Sequence, residues 1–198
     1  MNYRYAFGPL RAPRAVDPDA SSTTNYIHMP VIELTTVIAA PIGRCFDLSR
    51  SIDLHRLSTQ GTQEEAIAGV TSGLIGKGQR VTWRARHFFI RQTLTSEITA
   101  FEPPYFFRDE MVQGAFKLLK HDHVFEEKGS ETVMKDKLYF ETPAGLAGHL
   151  FNKLVLTAYL TRLLVKRNTV IKEVAEGDDW KSILPSASGK VGEPGSRP

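Results

Sequence analysis

The sequence predicts an α+β fold in which a curved antiparallel sheet of about seven strands wraps around a long C-terminal helix. A β-branched, alternating segment at residues 31–38 is typical of a first strand, and alternating segments separated by turn signals follow between residues 63 and 140. Apolar residues then recur at helical spacing from about residue 146 to residue 175. Consecutive strands joined by short turns pair antiparallel, and a single long helix must cover one face of their sheet.

The composition indicates one globular domain with a tail at each end. The chain has 198 residues, of which 41% are hydrophobic and 24% are charged. We expect a disordered leader over residues 1–28, a domain over residues 29–176 and a disordered tail over residues 177–198. Met29, just before the first strand, is a candidate native start.

Charge, cysteine content and hydropathy limit the partners and the location expected for the chain. The net charge of +3 is scattered and forms no basic stripe, so we expect no nucleic-acid partner. Cys45 is the single cysteine, which excludes an internal disulfide and is typical of a reducing compartment. No apolar run reaches the ~20 residues of a membrane span, and residues 1–28 lack the apolar core of a secretory signal. We therefore expect a cytoplasmic protein without stable membrane insertion; its oligomeric state stays open.

Two short helices are expected between the first and second strands. Pro41 is suited to the first turn of a helix because its missing N–H costs little there. Ser51 is the expected N-cap of the second helix, which runs through Leu54 and Leu57. The apolar stripe of the first helix consists of Ile42, Cys45 and Phe46.

A glycine-rich segment at residues 69–78 invites comparison with a phosphate-binding loop. The spacing is wrong, because position 71 is Thr where the motif needs Gly, and Gly78 follows Lys77 where Ser or Thr should hold magnesium. We interpret the segment as a turn-rich connector, and no cofactor is indicated by the sequence.

Three strands are expected at residues 79–87, 91–101 and 105–113, with Pro103-Pro104 separating the last two. In the first of them, alternation places one set of residues on a common face: Val81, Trp83, Ala85 and His87. In the third, both faces are partly apolar, so its orientation stays open. One of those two faces carries Phe107, Asp109 and Met111.

Residues 116–140 predict a hairpin with its turn at Gly129-Ser130. This register sets His123 opposite Asp136, and all inward positions share a face with Phe140. The other two predicted pairs are Phe125 with Met134 and His121 with Leu138. The opposite face carries residues expected to face water: Lys120, Asp122, Glu126, Lys135 and Lys137.

Four segments of the chain resemble the SRPBCC superfamily, the group of START, Bet v 1 and polyketide cyclase-like proteins. They read APIGRCFDL, GLIGKGQRVTWRARHF, KHDHVFE and TVMKDKLYFETPAGLAG, within a resemblance that covers about residues 31–175. Within this superfamily the chain is similar to a bacterial subgroup described as ligand-binding or cyclase/dehydrase-like. The resemblance implies a helix-grip fold with a cavity between sheet and C-terminal helix that accepts an apolar or aromatic small molecule.

His121, His123 and Asp136 form the most specific candidate site, for which four interpretations stay open. They are a structural hydrogen-bonded pair, a polar anchor for an apolar ligand, acid/base catalysis by His123 oriented by Asp136, and a metal site. We expect no metal, because the fold would have to bring in His87 or His149.

Further candidate ligand contacts are the large apolar residues expected to face the cavity. With the polar candidates, the predicted ligand-binding set is Trp83, His87, Phe107, Met111, His121, His123, Phe125, Met134, Asp136, Leu138, Phe140, Phe151 and Leu154. The leading hypothesis is non-enzymatic binding of a lipid, isoprenoid or polyketide-like molecule. The alternatives are a cyclase or dehydratase using a His-Asp pair in the same cavity, and a protein-interaction module.

Overall fold

The computed structural model describes residues 30–87, 90–143 and 155–184, the side chain of His87 excepted. Seven antiparallel strands form one sheet in the order β1-β7-β6-β5-β4-β3-β2. Because every neighbour except β1–β7 is consecutive in sequence, short connections account for most of the sheet. The strands are β1 (Val31–Ile38), β2 (Glu65–Gly69), β3 (Arg80–His87), β4 (Ile90–Glu102), β5 (Phe106–Gln113), β6 (Leu118–Lys128) and β7 (Glu131–Glu141).

Four α-helices accompany the sheet in the described ranges: α1 (Ile42–Ser49), α2 (Ile52–Ser58), α3 (Thr157–Glu176) and α4 (Trp180–Ile183). The predicted α+β class is confirmed, with two short helices between β1 and β2 and a long C-terminal helix. The first part of that predicted helix, residues 146–154, lies outside the described residues. None of the helices in these ranges is both long and apolar enough to span a lipid bilayer.

The β6–β7 hairpin has the predicted register. His121 pairs with Leu138, His123 with Asp136, and Phe125 with Met134. The turn lies at residues 129–130, and Gly129 adopts φ +65°, a left-handed conformation that glycine accepts without steric cost. The alternation of the sequence therefore placed both histidines on the inner face of the sheet.

Asp122 corrects one detail of that pattern, because the expected water-facing position is only 8% exposed. Its carboxylate accepts two hydrogen bonds from Arg108 of β5, from Nε at 2.5 Å and from Nη2 at 3.0 Å. Such a bidentate pair lets a charge stay buried on the outer face of a sheet. The sequence of the hairpin could not show this partner, since Arg108 comes from the next strand.

The core is centred on Phe46 of α1, which is 2% exposed. Its ring lies 5.5–5.6 Å from the rings of Phe101, Phe107 and Phe125, so α1 closes one end of the inner face. The next helix begins as predicted, because Ser51 Oγ accepts a hydrogen bond from the Leu54 amide at 3.2 Å.

The glycine-rich connector holds α2 rather than presenting free amides. The Gly73 amide donates to Asp53 Oδ2 at 2.8 Å, and its carbonyl accepts from the Ile52 amide at 2.9 Å. Gly69 needs its φ of +75°, and a Cβ there would lie 2.1 Å from the Arg80 carbonyl oxygen. These contacts agree with a structural connector.

The C-terminal boundary differs from the prediction that disorder begins at residue 177. Residues 180–183 form α4, and the Arg44 guanidinium lies 4.1 Å from the centroid of the Trp180 ring. Trp180 and Ile183 pack against the core, so the Gly/Ser/Pro-rich composition masked a short helix with apolar anchors.

Candidate functional site

A cavity of about 610 Å³ lies between the inner face of the sheet and α3. The strands supply its walls because their inward residues alternate with outward ones, while α2 and α3 supply the remaining sides. Its apolar lining includes Val81, Trp83, Ala85, Ile90, Leu94, Ile98, Phe107, Phe116, Leu119, Leu138, Leu156, Leu160, Leu163 and Leu164.

The structure places only part of the predicted ligand-binding set on this cavity. The predicted residues that line it are Trp83, Phe107, His121, His123 and Leu138. The predicted residues that do not line it are Met111, Phe125, Met134, Asp136 and Phe140. Three further predictions, the His87 side chain, Phe151 and Leu154, lie outside the described residues.

Packing of α1 and α3 explains why some inward residues miss the cavity. Met134 is fully buried, and the Ser49 hydroxyl of α1 donates to its sulfur at 3.4 Å. Phe125 lies against Phe46 of the same helix, while Phe140 belongs to a second cluster with Leu156 and Leu164. Strand alternation shows which residues point inward. The positions of the helices decide which of those residues pack against a helix and which line the cavity.

Asp136 is the centre of a buried polar network beside the cavity. It has 0% exposure and accepts a hydrogen bond at Oδ1 from His121 Nε2 at 3.0 Å. His123 Nδ1 also lies 3.0 Å from Oδ1, without the alignment of a hydrogen bond. His123 therefore lies next to Asp136 as predicted, but the histidine that forms a hydrogen bond with Asp136 is His121.

Helix α3 adds two partners that the sequence did not reveal. Asn168 Nδ2 donates to Asp136 Oδ2 at 2.7 Å, and Arg167 Nη1 lies 3.5 Å from Oδ1. Arg167 also donates to the Ser49 carbonyl at 2.8 Å and is 7% exposed. The sequence did not predict this placement of Arg167, because it depends on how α3 packs against the sheet.

Asp109 brings the negative charge of this network to the cavity surface. Its side chain is 30% exposed, lines the cavity, and accepts a hydrogen bond from His123 Nε2 at 3.0 Å. His123 stacks on Phe107 with 4.1 Å between ring centroids and 19° between planes. The sequence placed Asp109 on the same strand face as Phe107 but did not orient that strand. The structure shows that this face is the inner one.

The local charges set the protonation of the network. Burial raises the pKa of Asp136, but the hydrogen bond from His121, the close approach of His123 and the charge of both rings outweigh it and hold that pKa well below its ordinary value. The pKa of Asp109 is lowered in the same way, by His123, His121 and Arg167 against burial. The pKa of His121 is lowered, first by burial and then by the neighbouring His123. Both carboxyl groups are therefore anionic at neutral pH.

A second polar pair lies elsewhere on the cavity wall and was also missed. His55 Nε2 lies 2.8 Å from Glu64 Oε2, and the His55 ring lies 4.3 Å from the Trp83 ring. Both residues line the cavity. Their positions in α2 and after it carry no pattern that separates them from surface residues, so only tertiary structure reveals them.

A curved seven-stranded sheet that holds an internal cavity against a C-terminal helix is the helix-grip fold of START, Bet v 1 and polyketide cyclase-like proteins, as the sequence predicted. Solved structures agree. A Streptomyces aromatase/cyclase, ZhuI, is 16% identical with a TM-score of 0.61, over 75% of this chain and 94% of that one. A protein of Thermus thermophilus is 19% identical with a TM-score of 0.59, over 74% and 99%. A START superfamily protein of Mycobacterium smegmatis is 12% identical with a TM-score of 0.57, over 72% and 97%.

Sequence comparison adds nothing to this structural likeness: no protein-family model matches the chain, and no curated protein matches it. At identities of 12–19% the three structures establish a shared fold. Function must therefore be argued from the cavity itself.

Proposed function

We propose that this protein binds an apolar or aromatic small molecule, of the lipid, isoprenoid or polyketide-like kind, in the cavity between sheet and α3. The supporting observation is an apolar cavity whose wall carries one polar cluster, formed by Asp109, His121 and His123. Ligand sites generally combine apolar walls with a few polar groups that orient the ligand.

The size of the cavity suits a molecule with several rings or a branched chain. Its volume of about 610 Å³ lies within the range of small-molecule sites, about 300–1,000 Å³. At ~30 Å³ for each molecule of liquid water, it equals about 20 waters. Displacing water from apolar walls supplies the driving force for binding, at roughly 25 cal/mol for each Å² of apolar surface buried.

The polar cluster gives the ligand a preferred orientation. The Asp109 carboxylate accepts hydrogen bonds, so a ligand hydroxyl or phenol is favoured next to it and a ligand carboxylate is disfavoured. Leu138 and Phe107 flank the cluster and provide apolar contacts for an adjoining ring. The proposed ligand is therefore largely apolar, with a hydrogen-bond donor at one end.

Filling the cavity tests this proposal. Ala85 is 7% exposed and lines the cavity, so Ala85→Phe places a ring inside it. Ala68→Phe is the matched control, because Ala68 lies on β2, is exposed and does not line the cavity. We expect Ala85→Phe to abolish binding of a fluorescent apolar probe, and Ala68→Phe to keep it. Equal probe binding by both variants would refute the proposal, and native mass spectrometry identifies any co-purified ligand.

A second candidate function is proton-transfer catalysis, a cyclase or dehydratase reaction in the same cavity. The observation that favours it is the 3.0 Å bond between His123 Nε2 and Asp109 Oδ2, a histidine–carboxylate pair on the cavity surface. Its test is deuterium exchange at the carbon between the carbonyls of a bound diketone, followed by NMR. Catalysis predicts exchange that His123→Ala slows while probe binding persists; exchange at the solvent rate in wild-type protein would exclude it.

A further inference from the structure

We propose that Asp109, His121 and His123 form a binding site for one divalent transition-metal ion of the zinc class, open to the cavity. Metal binding is separate from the proposed binding of an apolar molecule, and either can hold without the other. The proposal rests on donor spacing, on the groups behind the histidines and on the balance of charge.

The donor atoms have the spacing that a small metal ion requires. Asp109 Oδ2 lies 3.0 Å from His123 Nε2 and 3.9 Å from His121 Nδ1, and the three donors lie within 4.8 Å of one another. Zinc with ligands at about 2.0–2.1 Å holds tetrahedral donors about 3.3 Å apart. Small side-chain rotations therefore suffice to bring all three atoms to bonding distance of one ion.

Asp136 lies behind both histidines, where metal sites place an orienting carboxylate. It lies 3.0 Å from His121 Nε2 and 3.0 Å from His123 Nδ1, the ring nitrogens that are not the proposed ligands. Histidine ligands generally donate their second N–H to such a group, which fixes the tautomer and orients the ring. Asn168 donates to the other Asp136 oxygen at 2.7 Å and holds the carboxylate in place.

The protons of His123 support the same assignment. When Nε2 carries the proton and donates to Asp109, Nδ1 is left without a hydrogen-bond partner among the described residues, although His123 is 2% exposed. Binding of a metal at Nε2 moves the proton to Nδ1, 3.0 Å from the Asp136 carboxylate. A small rotation of the ring then aligns this N–H with the carboxylate and satisfies a buried ring nitrogen that otherwise faces the carboxylate with its lone pair.

Charge and access are also suitable. Two carboxylates, Asp109 and Asp136, and one guanidinium, Arg167, lie together here, so a divalent ion brings the sum of their formal charges to +1. One metal-bound hydroxide or anionic ligand group then neutralises the site. Three protein ligands leave a fourth coordination position, and since all three proposed ligands line the cavity, that position faces it.

Titration of the metal-free protein with Zn²⁺ and Co²⁺ tests the proposal. We expect one equivalent bound, with the strong visible absorption of four-coordinate cobalt. Asp109→Asn should abolish the cobalt bands, and Asp136→Asn should weaken affinity by about 10- to 100-fold, as loss of an orienting group does. His55→Gln is the matched control, because His55 pairs with Glu64 on another part of the same cavity and should leave affinity unchanged.

Circular dichroism and probe binding keep the outcomes distinct. Variants that retain wild-type spectra and bind the apolar probe are folded, so a loss of metal affinity in them reports the site. The proposal is overturned if folded wild-type protein binds no stoichiometric Zn²⁺, or if His55→Gln loses as much affinity as Asp109→Asn. Apolar probe binding that survives either result leaves the proposed ligand-binding function standing.

Discussion

Replacing Asp136 by Asn tests whether the buried network stabilises the domain. Asn keeps the size of the side chain but removes the negative charge. It also leaves one fewer acceptor for the donors of His121 and Asn168, which now contact Asp136 at 3.0 and 2.7 Å. Arg167, 3.5 Å away and 7% exposed, loses its nearby counter-charge. The substitution therefore weakens the contacts of three groups at once.

The expected cost is about 3–5 kcal/mol, the usual penalty for removing one partner of a buried charged pair. Hydrogen bonds to a charged group contribute about 1.5–3 kcal/mol each, and two such bonds give a similar figure. With a urea m-value of about 2 kcal/mol per molar, the unfolding midpoint should fall by about 1.5–2.5 M. Total domain stability is only about 5–15 kcal/mol, so the variant should lose a large share of it.

Urea titration followed by tryptophan fluorescence measures the effect, because Trp83 is buried in the core. A chelator is present throughout, so that metal binding does not contribute. Asp47→Asn is the matched control: its ion pair with Arg50 is partly exposed, and its loss should cost less than about 1 kcal/mol. A cost below about 1 kcal/mol for Asp136→Asn as well would refute the reasoning, since the network would then contribute no more than a surface pair.

Three further outcomes follow from the same structure. The pKa values of His121 and Asp136 are lower in the folded protein than in the unfolded chain, so the unfolded chain binds protons at a higher pH. The free energy of unfolding should therefore fall as the pH drops below 6.5 and again below 3.8. Constant stability between pH 7 and 5 would contradict this. Ser51→Ala should cost about 1 kcal/mol in urea unfolding because it removes the N-cap bond to Leu54, and Ser51→Thr should recover most of it. Cys45 is buried, which raises the pKa of its thiol and keeps reagents away from it. The thiol should therefore react with a thiol reagent only at the rate of unfolding, and rapid reaction of the folded protein would disprove its burial.

Local patterns predicted the elements well because strand and cap signals depend on near neighbours. Ser51 was identified as an N-cap from its position before an apolar repeat, and its hydroxyl accepts the expected bond. The hairpin register followed from one turn and an alternating pattern, since a shift by one residue would have turned the apolar residues outward. Both predictions needed no knowledge of the rest of the chain.

The polar cluster was only half predictable. His121, His123 and Asp136 came from the hairpin pattern, whereas Asp109 lay on a strand whose two faces looked alike. Arg167 and Asn168 belong to a helix far away in sequence, and their contact with Asp136 depends on how α3 crosses the sheet. Charged residues on a helix usually face solvent, so nothing in the sequence indicated that Arg167 lies at the cavity.

The amino-acid sequence determined the fold class, the register of the β6–β7 hairpin and the inward placement of two histidines, because periodicity and turn chemistry are local properties. Tertiary structure alone decided which inward residues meet α1 and which meet the cavity. It also decided that Asp109, rather than Asp136, brings the negative charge of the polar network to the cavity surface, since Asp136 has 0% exposure. The physical reason is that such contacts arise between elements distant in sequence, and no short-range pattern encodes their distance.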